Sequence, residues 1–358
     1  MLAYREKQPV QRKNTPNERS IREEIWRAND MKKQDPKRAL AMLDAAVRTA
    51  QASKIFINMA IVCGIRSQCH RYRGDNEEAI RAAQAAVLFS ECKDAKSFSI
   101  LSQAYLADRQ YGEAIDAAKT ALEISPDDHS YGQLIKAHLH VIPEKALRIA
   151  KARIDQKTGK HEYITVIDRI LLAKSYLAYG NESLSWCEKE TVLEDALRAA
   201  EQAYDMQQNS KTICLKADIL RKLKRCEDAL ATLRGVYSCP NVILAKAYCH
   251  LDMNAYTICY NLLCLAQKRI REHEEKGYYA CMIPGYTRYH ILIAYLYIRT
   301  RQNKTFSHDP GSALNAEQTR TLASLLPMSE NFLLKESTNH IWPTQKENIL
   351  KALKDLRA

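Results

Sequence analysis

The sequence predicts an all-α solenoid, a stack of antiparallel helix pairs, and three observations carry that expectation. First, one phrase recurs: acidic or polar residues, then Ala-Ile or Ala-Leu, then small residues at helical spacing. It reads Glu77-Glu78-Ala79-Ile80 ahead of Ala83 and Ala86, and Gly112-Glu113-Ala114-Ile115 ahead of Ala118 and Ala121. It returns as Glu194-Asp195-Ala196-Leu197 ahead of Ala200 and Ala203, and as Glu227-Asp228-Ala229-Leu230 ahead of Leu233. Second, the copies lie 35 residues apart from Ala79 to Ala114 and 33 apart from Ala196 to Ala229. That is the length of one helix pair, which cannot bury its apolar face alone and must stack on its neighbours. Third, glycine and proline are scarce, ten of each in 358 residues, and no Ser/Gly-rich linker divides the chain. Continuous repeats therefore predict one elongated body.

The elements follow from this phase. Residues 1–18 mix Lys, Arg, Asn and Pro without periodicity and read as a basic flexible arm. Residues 19–326 carry about eight helical pairs. The first is Ser20–Lys33 with Asp35–Ala50, burying Ala39, Leu43 and Ala46; the second is Lys54–Arg73 with Asn76–Ser90, turned by Gly74-Asp75. The fourth joins Ser130–His140 to Glu144–Gln156, with Pro143 near a helix start, where its missing donor costs nothing. The fifth joins Glu162–Tyr179 to Thr191–Met206 across a long connection holding Gly180 and Trp186; the sixth joins Lys211–Lys222 to Cys226–Tyr237. Beyond Pro240 the register loosens, with helices expected near Val242–Leu251, Tyr256–Glu275, Tyr286–Arg301 and Ala316–Leu326. In the C-terminal segment 327–358, Thr344 followed by Glu347 reads as a capping box. It opens a helix over 344–357 whose Ile349, Leu350, Leu353 and Leu356 are expected to cover the last repeat.

The third pair is the best single copy, running from Ala95 to Asp128. Phe98 and Leu101 stand at the first apolar points, Tyr105 at the aromatic point, Ala114 at the tight helix contact and Pro126 at the end. This resembles the tetratricopeptide repeat, with its W-x2-L-G-x2-Y, A-x3-F and P pattern. Ser102 replaces the pattern's Gly and Ala118 its Phe; both are small and permit close packing. The resemblance implies a right-handed superhelix and a role in binding proteins or peptides.

Chemistry is sparse. No Cys-x-x-Cys occurs, His138 and His140 point to opposite sides of a helix, and His273-Glu274-Glu275 meets Gly277 where a zincin has its second His. Cys249-His250 and Cys187-Glu188 are helical neighbours whose side chains diverge, and no phosphate-cradling glycine motif is present. The expectation is a non-enzyme with neither metal nor cofactor. Eleven cysteines, an odd number scattered singly, read as reduced packing residues. The sequons at Asn181 and Asn303 then go unused. No apolar run approaches the ~18 residues of a membrane span, and Met1–Val10 is too charged for a signal peptide, so a cytoplasmic location is expected, with delivery into another cell left open.

Binding is the activity a solenoid offers, because its first helices line a continuous concave surface. In the third pair Lys96, Ser99 and Gln103 fall on one polar stripe, and in the sixth Lys211, Cys214, Asp218 and Arg221 do the same. By the same phase Tyr131, His138 and Lys174 are expected in the groove. Ser99, Gln103 and Cys214 stand where a chaperone-tail clamp needs Asn, so that clamp is not expected. A net charge of +12 points to an acidic protein or peptide partner. A basic run gathers Lys145, Arg148, Lys151, Arg153, Lys157 and Lys160, of which Lys145, Arg148 and Lys151 lie about three apart on a second helix and read as a solvated convex face. A second reading is an RNA-binding repeat protein, using such patches and the six tyrosines between Tyr278 and Tyr297 to stack bases. A third is a bacterial effector or secretion-linked chaperone.

Overall fold

The computed structural model describes residues 16–181, 185–236, 239–275, 289–297, 314–335 and 343–355, and among them every regular element is a helix. Seven pairs follow one another: α1 (Pro16–Met31) with α2 (Pro36–Ala52), α3 (Met59–Arg73) with α4 (Asn76–Phe89), and α5 (Ala95–Ala107) with α6 (Tyr111–Ile124). Next come α7 (Asp128–His138) with α8 (Pro143–Gly159), α9 (Val166–Tyr179) with α10 (Trp186–Met206), α11 (Ser210–Lys222) with α12 (Cys226–Thr232), and α13 (Pro240–Asp252) with α14 (Tyr256–Glu275). Then follow α15 (289–297), α16 (Ala316–Lys335) and α17 (Pro343–Asp355). Along the seven pairs each helix packs on the one before and the one after, the pattern of an α-solenoid.

The recurring alanines do what their size allows. Ala39, Ala79, Ala114, Ala146, Ala196 and Ala229 are all fully buried, and Cys259 holds the equivalent place in the seventh pair. A small side chain there lets the second helix lie close against the first. Ser102, at the Gly position of the repeat pattern, is buried because its hydroxyl donates to the Ala114 carbonyl at 2.8 Å.

Two kinds of turn alternate. Most first helices open on a side-chain cap: Asn58, Asp94, Asp127, Thr165 and Asn209 each accept a backbone N–H of the first turn. Several second helices start instead from a residue in the left-handed region, namely Gly74, Arg109, Lys224 and Asn254, each five positions before the buried small residue. Only the first is glycine. The other three carry a side chain in a conformation that favours none.

The first helices of successive pairs touch one another, α1 with α3, α3 with α5, and so on to α11 with α13, whereas second helices make no comparable contact with one another. The stack is therefore closed on the first-helix side and splayed on the other, which makes the first helices the inner wall. At Gly64 of α3 a Cβ would meet Ile100 Cδ1 of α5 at 3.0 Å, so glycine sets that close approach.

Several boundaries differ from expectation. Helix α1 already begins at Pro16, inside the segment expected as arm; residues 1–15 lie outside the described residues. Helix α3 starts at Met59, not Lys54, because Asn58 caps it. Helix α10 starts at Trp186, five residues early, because Ser185 and Glu188 form a capping box. Helix α12 ends at Thr232, short of Tyr237. Helix α16 runs through Pro327 to Lys335; buried Leu322 and Leu326 precede the proline and buried Ser329 follows it, packing that outweighs one lost hydrogen bond. Ile349 and Leu353 of α17 are buried in one cluster with Leu263 of α14, Leu292 of α15 and Leu322 of α16. The side chains of Thr344 and Glu347, and Leu356 altogether, lie outside the described residues.

Candidate functional site: a basic inner groove

The polar stripe read from sequence divides into exposed, half-buried and buried members. Lys96, Lys174 and Lys211 are exposed on the inner helices α5, α9 and α11, and Gln103 is half-buried beside them, its amide 3.2 Å from His129 Nε2. Asp218 of α11 is half-buried.

The remaining expectations are corrected. Ser99 is fully buried, its hydroxyl 3.4 Å from that of Ser130 where α5 meets α7, because a small polar residue on an inner helix fits the crossing with the next one. His138 is 2% exposed with no hydrogen-bond partner at either ring nitrogen, and burial, with Lys145 and Lys119 nearby, lowers its pKa. Tyr131 is half-buried, with the Arg153 guanidinium of α8 over its ring at 4.7 Å. Cys214 is buried. Arg221 clamps α11 to α13, bonded to Asp252 at 2.7 Å and lying over the Tyr248 ring at 5.1 Å. Desolvation opposes its charge, but Asp218 and Asp252 outweigh that and hold its pKa above the ordinary arginine value.

On α8 Arg148 and Lys151 are exposed and Lys145 is half-buried, but two other cations of the basic run are buried. Lys157 is 2% exposed and bridges Asp128 of α7 and Asp168 of α9, at 2.8 and 2.7 Å, while Arg153 joins Asp128 at 2.6 Å. These cations staple three helices together and are not available to a partner. Of the tyrosines offered for base stacking, Tyr289 is 2% exposed, Tyr295 and Tyr297 pack on the C-terminal cluster, and the other three lie outside the described residues.

Residues that sequence reasoning passed over complete the groove. Lys136 of α7 keeps access to solvent, and partial desolvation by the protein around it lowers its pKa to about 8, with the positive charges of Lys174, Arg71 and Lys211 adding to the effect. His129 is lowered by burial and then by Lys136; His140, stacked on Tyr111 at 5.2 Å, is lowered by burial, Lys174 and Arg109. Every group acting on Lys136 is a cation. The inner wall thus gathers positive charge from α3, α7, α9 and α11. The available signal was the cap at Asp127, which fixes the phase of α7; Tyr131 and His138 share one face of it and Lys136 lies on another.

Burial pushes the thiols of Cys69, Cys249 and Cys259 up to about 12, so they are protonated and inert. Among the described residues no group of His, Cys, Asp and Glu is placed to hold a metal ion, and the ten cysteines there are all free thiols. No described helix is long and apolar enough to cross a membrane.

No protein-family model matches the sequence, and no curated protein matches it. Solved structures do. A tetratricopeptide repeat protein from Parabacteroides merdae ATCC 43184 superposes with a TM-score of 0.51 at 16% identity, over 72% of this chain and 98% of its own. A thermophilic tetratricopeptide protein from Thermus thermophilus gives 0.45 at 17% identity, over 51% and 94%. The Naa15/Naa10 structure bound to HypK-THB gives 0.33 at 15% identity, over 95% and 52%. The first likeness, with the repeat spacing and the stacked pairs, shows that this chain has the α-solenoid fold of tetratricopeptide-like repeats.

Proposed function

We propose that the chain is a non-enzymatic scaffold or adaptor that holds an acidic protein or peptide segment in its inner groove. The observation that carries this reading is the exposure of four lysines, Lys96, Lys136, Lys174 and Lys211, one on each of the inner helices α5, α7, α9 and α11. Such cations are better stabilised once an anion is bound, so the free groove is poised for one. Gln103 with His129 offers neutral hydrogen bonds to a peptide backbone. Nucleic acid is the weaker reading. Tyr131, Tyr176, Tyr204 and Tyr248 each already carry a cation of the protein itself over the ring, which occupies one face that a base would need. A cytoplasmic setting fits the same reading.

The test is affinity capture from the native cell, with and without nuclease, using the natural chain and a Lys96→Glu/Lys136→Glu/Lys211→Glu variant. The proposal expects a protein partner that survives nuclease and is lost with the variant. A partner retained equally by both chains places binding elsewhere.

A further inference from the structure

One surface position recurs along the inner helices. Caps at Asp94, Asp127, Thr165 and Asn209 fix the starts of α5, α7, α9 and α11, and the second residue after each cap is Lys96, His129, Ile167 or Lys211. All four are exposed. The helix crossings keep them in line. A Cβ on Gly132 of α7 would meet Leu171 Cδ1 of α9 at 3.6 Å, as one on Gly64 of α3 would meet Ile100 Cδ1 of α5 at 3.0 Å. Each contact joins the third residue after the surface position on one helix to the fourth after it on the next, which places Ile61 of α3 in the same row. Between α5 and α7 the Ser99 and Ser130 hydroxyls lie 3.4 Å apart, and Gln103, on one face with Lys96, donates its amide to His129 Nε2 at 3.2 Å. Helix α11 touches α9 in turn.

The row therefore runs Ile61, Lys96, His129, Ile167, Lys211: apolar, cation, neutral donor, apolar, cation. Its two isoleucines are 43% and 59% exposed, large apolar side chains left in solvent among polar ones. We propose, resting on the groove reading above, that this row reads an acidic partner segment in the polyproline II conformation, with apolar residues seated on Ile61 and Ile167 and carboxylates on Lys96 and Lys211. Packed helices stand about 8–10 Å apart. A polyproline II chain turns once in three residues and rises about 3.1 Å per residue, so every third side chain returns to one face after about 9 Å. The spacings match. The segment is then apolar, acidic, neutral, apolar and acidic at every third position over thirteen residues. Its neutral position faces His129, whose Nε2 is taken by Gln103, so the ring proton lies on Nδ1 and can be donated to an uncharged group.

The width of the groove favours this form over an α-helix. Gln103 and Lys136 stand seven positions after Lys96 and His129, two turns on, or about 10 Å along the axis. A thin extended chain fits between two such rows of side chains, whereas a helix is about 10–12 Å across. A nucleic-acid backbone, charged at every step, would set phosphates against both isoleucines.

The experiment measures fluorescence anisotropy of labelled thirteen-residue peptides with the full chain at low salt. The in-register peptide carries Leu at positions 1 and 10, Glu at 4 and 13, and Ser elsewhere; it is made in both chain directions, because a segment can enter the groove from either end. Its control has the second Leu and Glu each moved by one residue, which turns them off the shared face. The expected result is that one direction binds about tenfold more tightly than its control, and more tightly still with Pro at positions 2, 5, 8 and 11. Ile167→Gln is expected to remove the gain contributed by one Leu without changing the melting temperature, since Ile167 is exposed. In-register and control peptides bound equally, and both lost with Lys96→Glu/Lys211→Glu, overturn the register and leave the groove reading standing. Weakening by the prolines overturns the polyproline II form. Tighter binding of a helical peptide with the same residues six apart makes the occupant an α-helix and overturns it too. No binding of any peptide also overturns the register, and the groove reading is then decided by the affinity capture.

Discussion

At Ala114 the side chain is a single methyl, fully enclosed, and the carbonyl of the same residue accepts the Ser102 hydroxyl from the facing helix. Ala114→Leu is therefore expected to overpack the α5–α6 contact and cost about 1–3 kcal/mol in urea unfolding. Alanines of this kind were legible in the sequence because their period is that of the repeat. Lys157 was not. A lysine on a basic helix reads as solvated until its two carboxylate partners, eleven and twenty-nine positions away, are seen in space. Desolvation raises the Asp128 carboxyl, but hydrogen bonds from Lys157 and Arg153 outweigh it and hold the pKa below the ordinary 3.8. Its contribution to stability is thus present above 3.8 and lost as the pH falls through the lower folded value. Lys157 runs the other way. Burial lowers it, but its bonds to Asp128 and Asp168 leave it above 10.5, so its contribution is full below that pH and fades only in strong alkali. Asp128→Asn is expected to flatten the acid limb of a melting-temperature profile. Lys157→Met should test the cost of leaving Asp168 without its ammonium, about 3 kcal/mol at neutral pH, the low end for a buried pair because Asp128 is half exposed.

Elements are set by their ends as much as by their faces. Helix type and number up to α14 followed from apolar periodicity, but starts were misplaced wherever a cap competed with it: Asn58 delays α3, and Ser185 with Glu188 advances α10. The left-handed turn residue was recognisable at Gly74 alone, since Arg109, Lys224 and Asn254 carry no conformational signature in their type. Replacing exposed Lys224 by Gly relieves its backbone, φ 64, and is expected to stabilise the protein by up to about 1 kcal/mol in denaturant unfolding. An unchanged midpoint would show that the turn is not strained. Helix α17 has thirteen residues, too few to persist alone in water, and its Ile349 and Leu353 lie on the C-terminal cluster. Removing residues 344–358 uncovers Leu292, Leu322 and Leu326 and is expected to produce dimers or aggregates in light scattering. A monomeric truncation with an unchanged melting temperature would mean that the helix serves some purpose other than covering the stack.

At the scale of the whole molecule, stacking turns scattered lysines into a groove. The net charge of +12 is plain in the sequence, and the exposure of Lys96, Lys174 and Lys211 on inner helices could be read there because these residues lie in phase with the repeat. The lowered pKa of Lys136 was not legible, since it depends on desolvation within the stack and on charges carried by other inner helices, a property of the assembly and not of any one helix. Ser99 and His138 were misassigned for a related reason: inner helices press on one another, so part of what is polar on them is buried between repeats. The central claim, an anionic protein partner seated on the inner helices, is most directly tested by acylating lysines at pH 8 and mapping the products by mass spectrometry, with and without the captured partner. Lys136, at about 8, should be among the most reactive amines of the free chain, being about half deprotonated where an ordinary lysine is almost wholly charged. The account predicts that the partner shields Lys96, Lys136, Lys174 and Lys211 and leaves Lys119 and Lys145 on the second helices as reactive as before. Shielding of Lys119 and Lys145 with an unchanged Lys136 would contradict it.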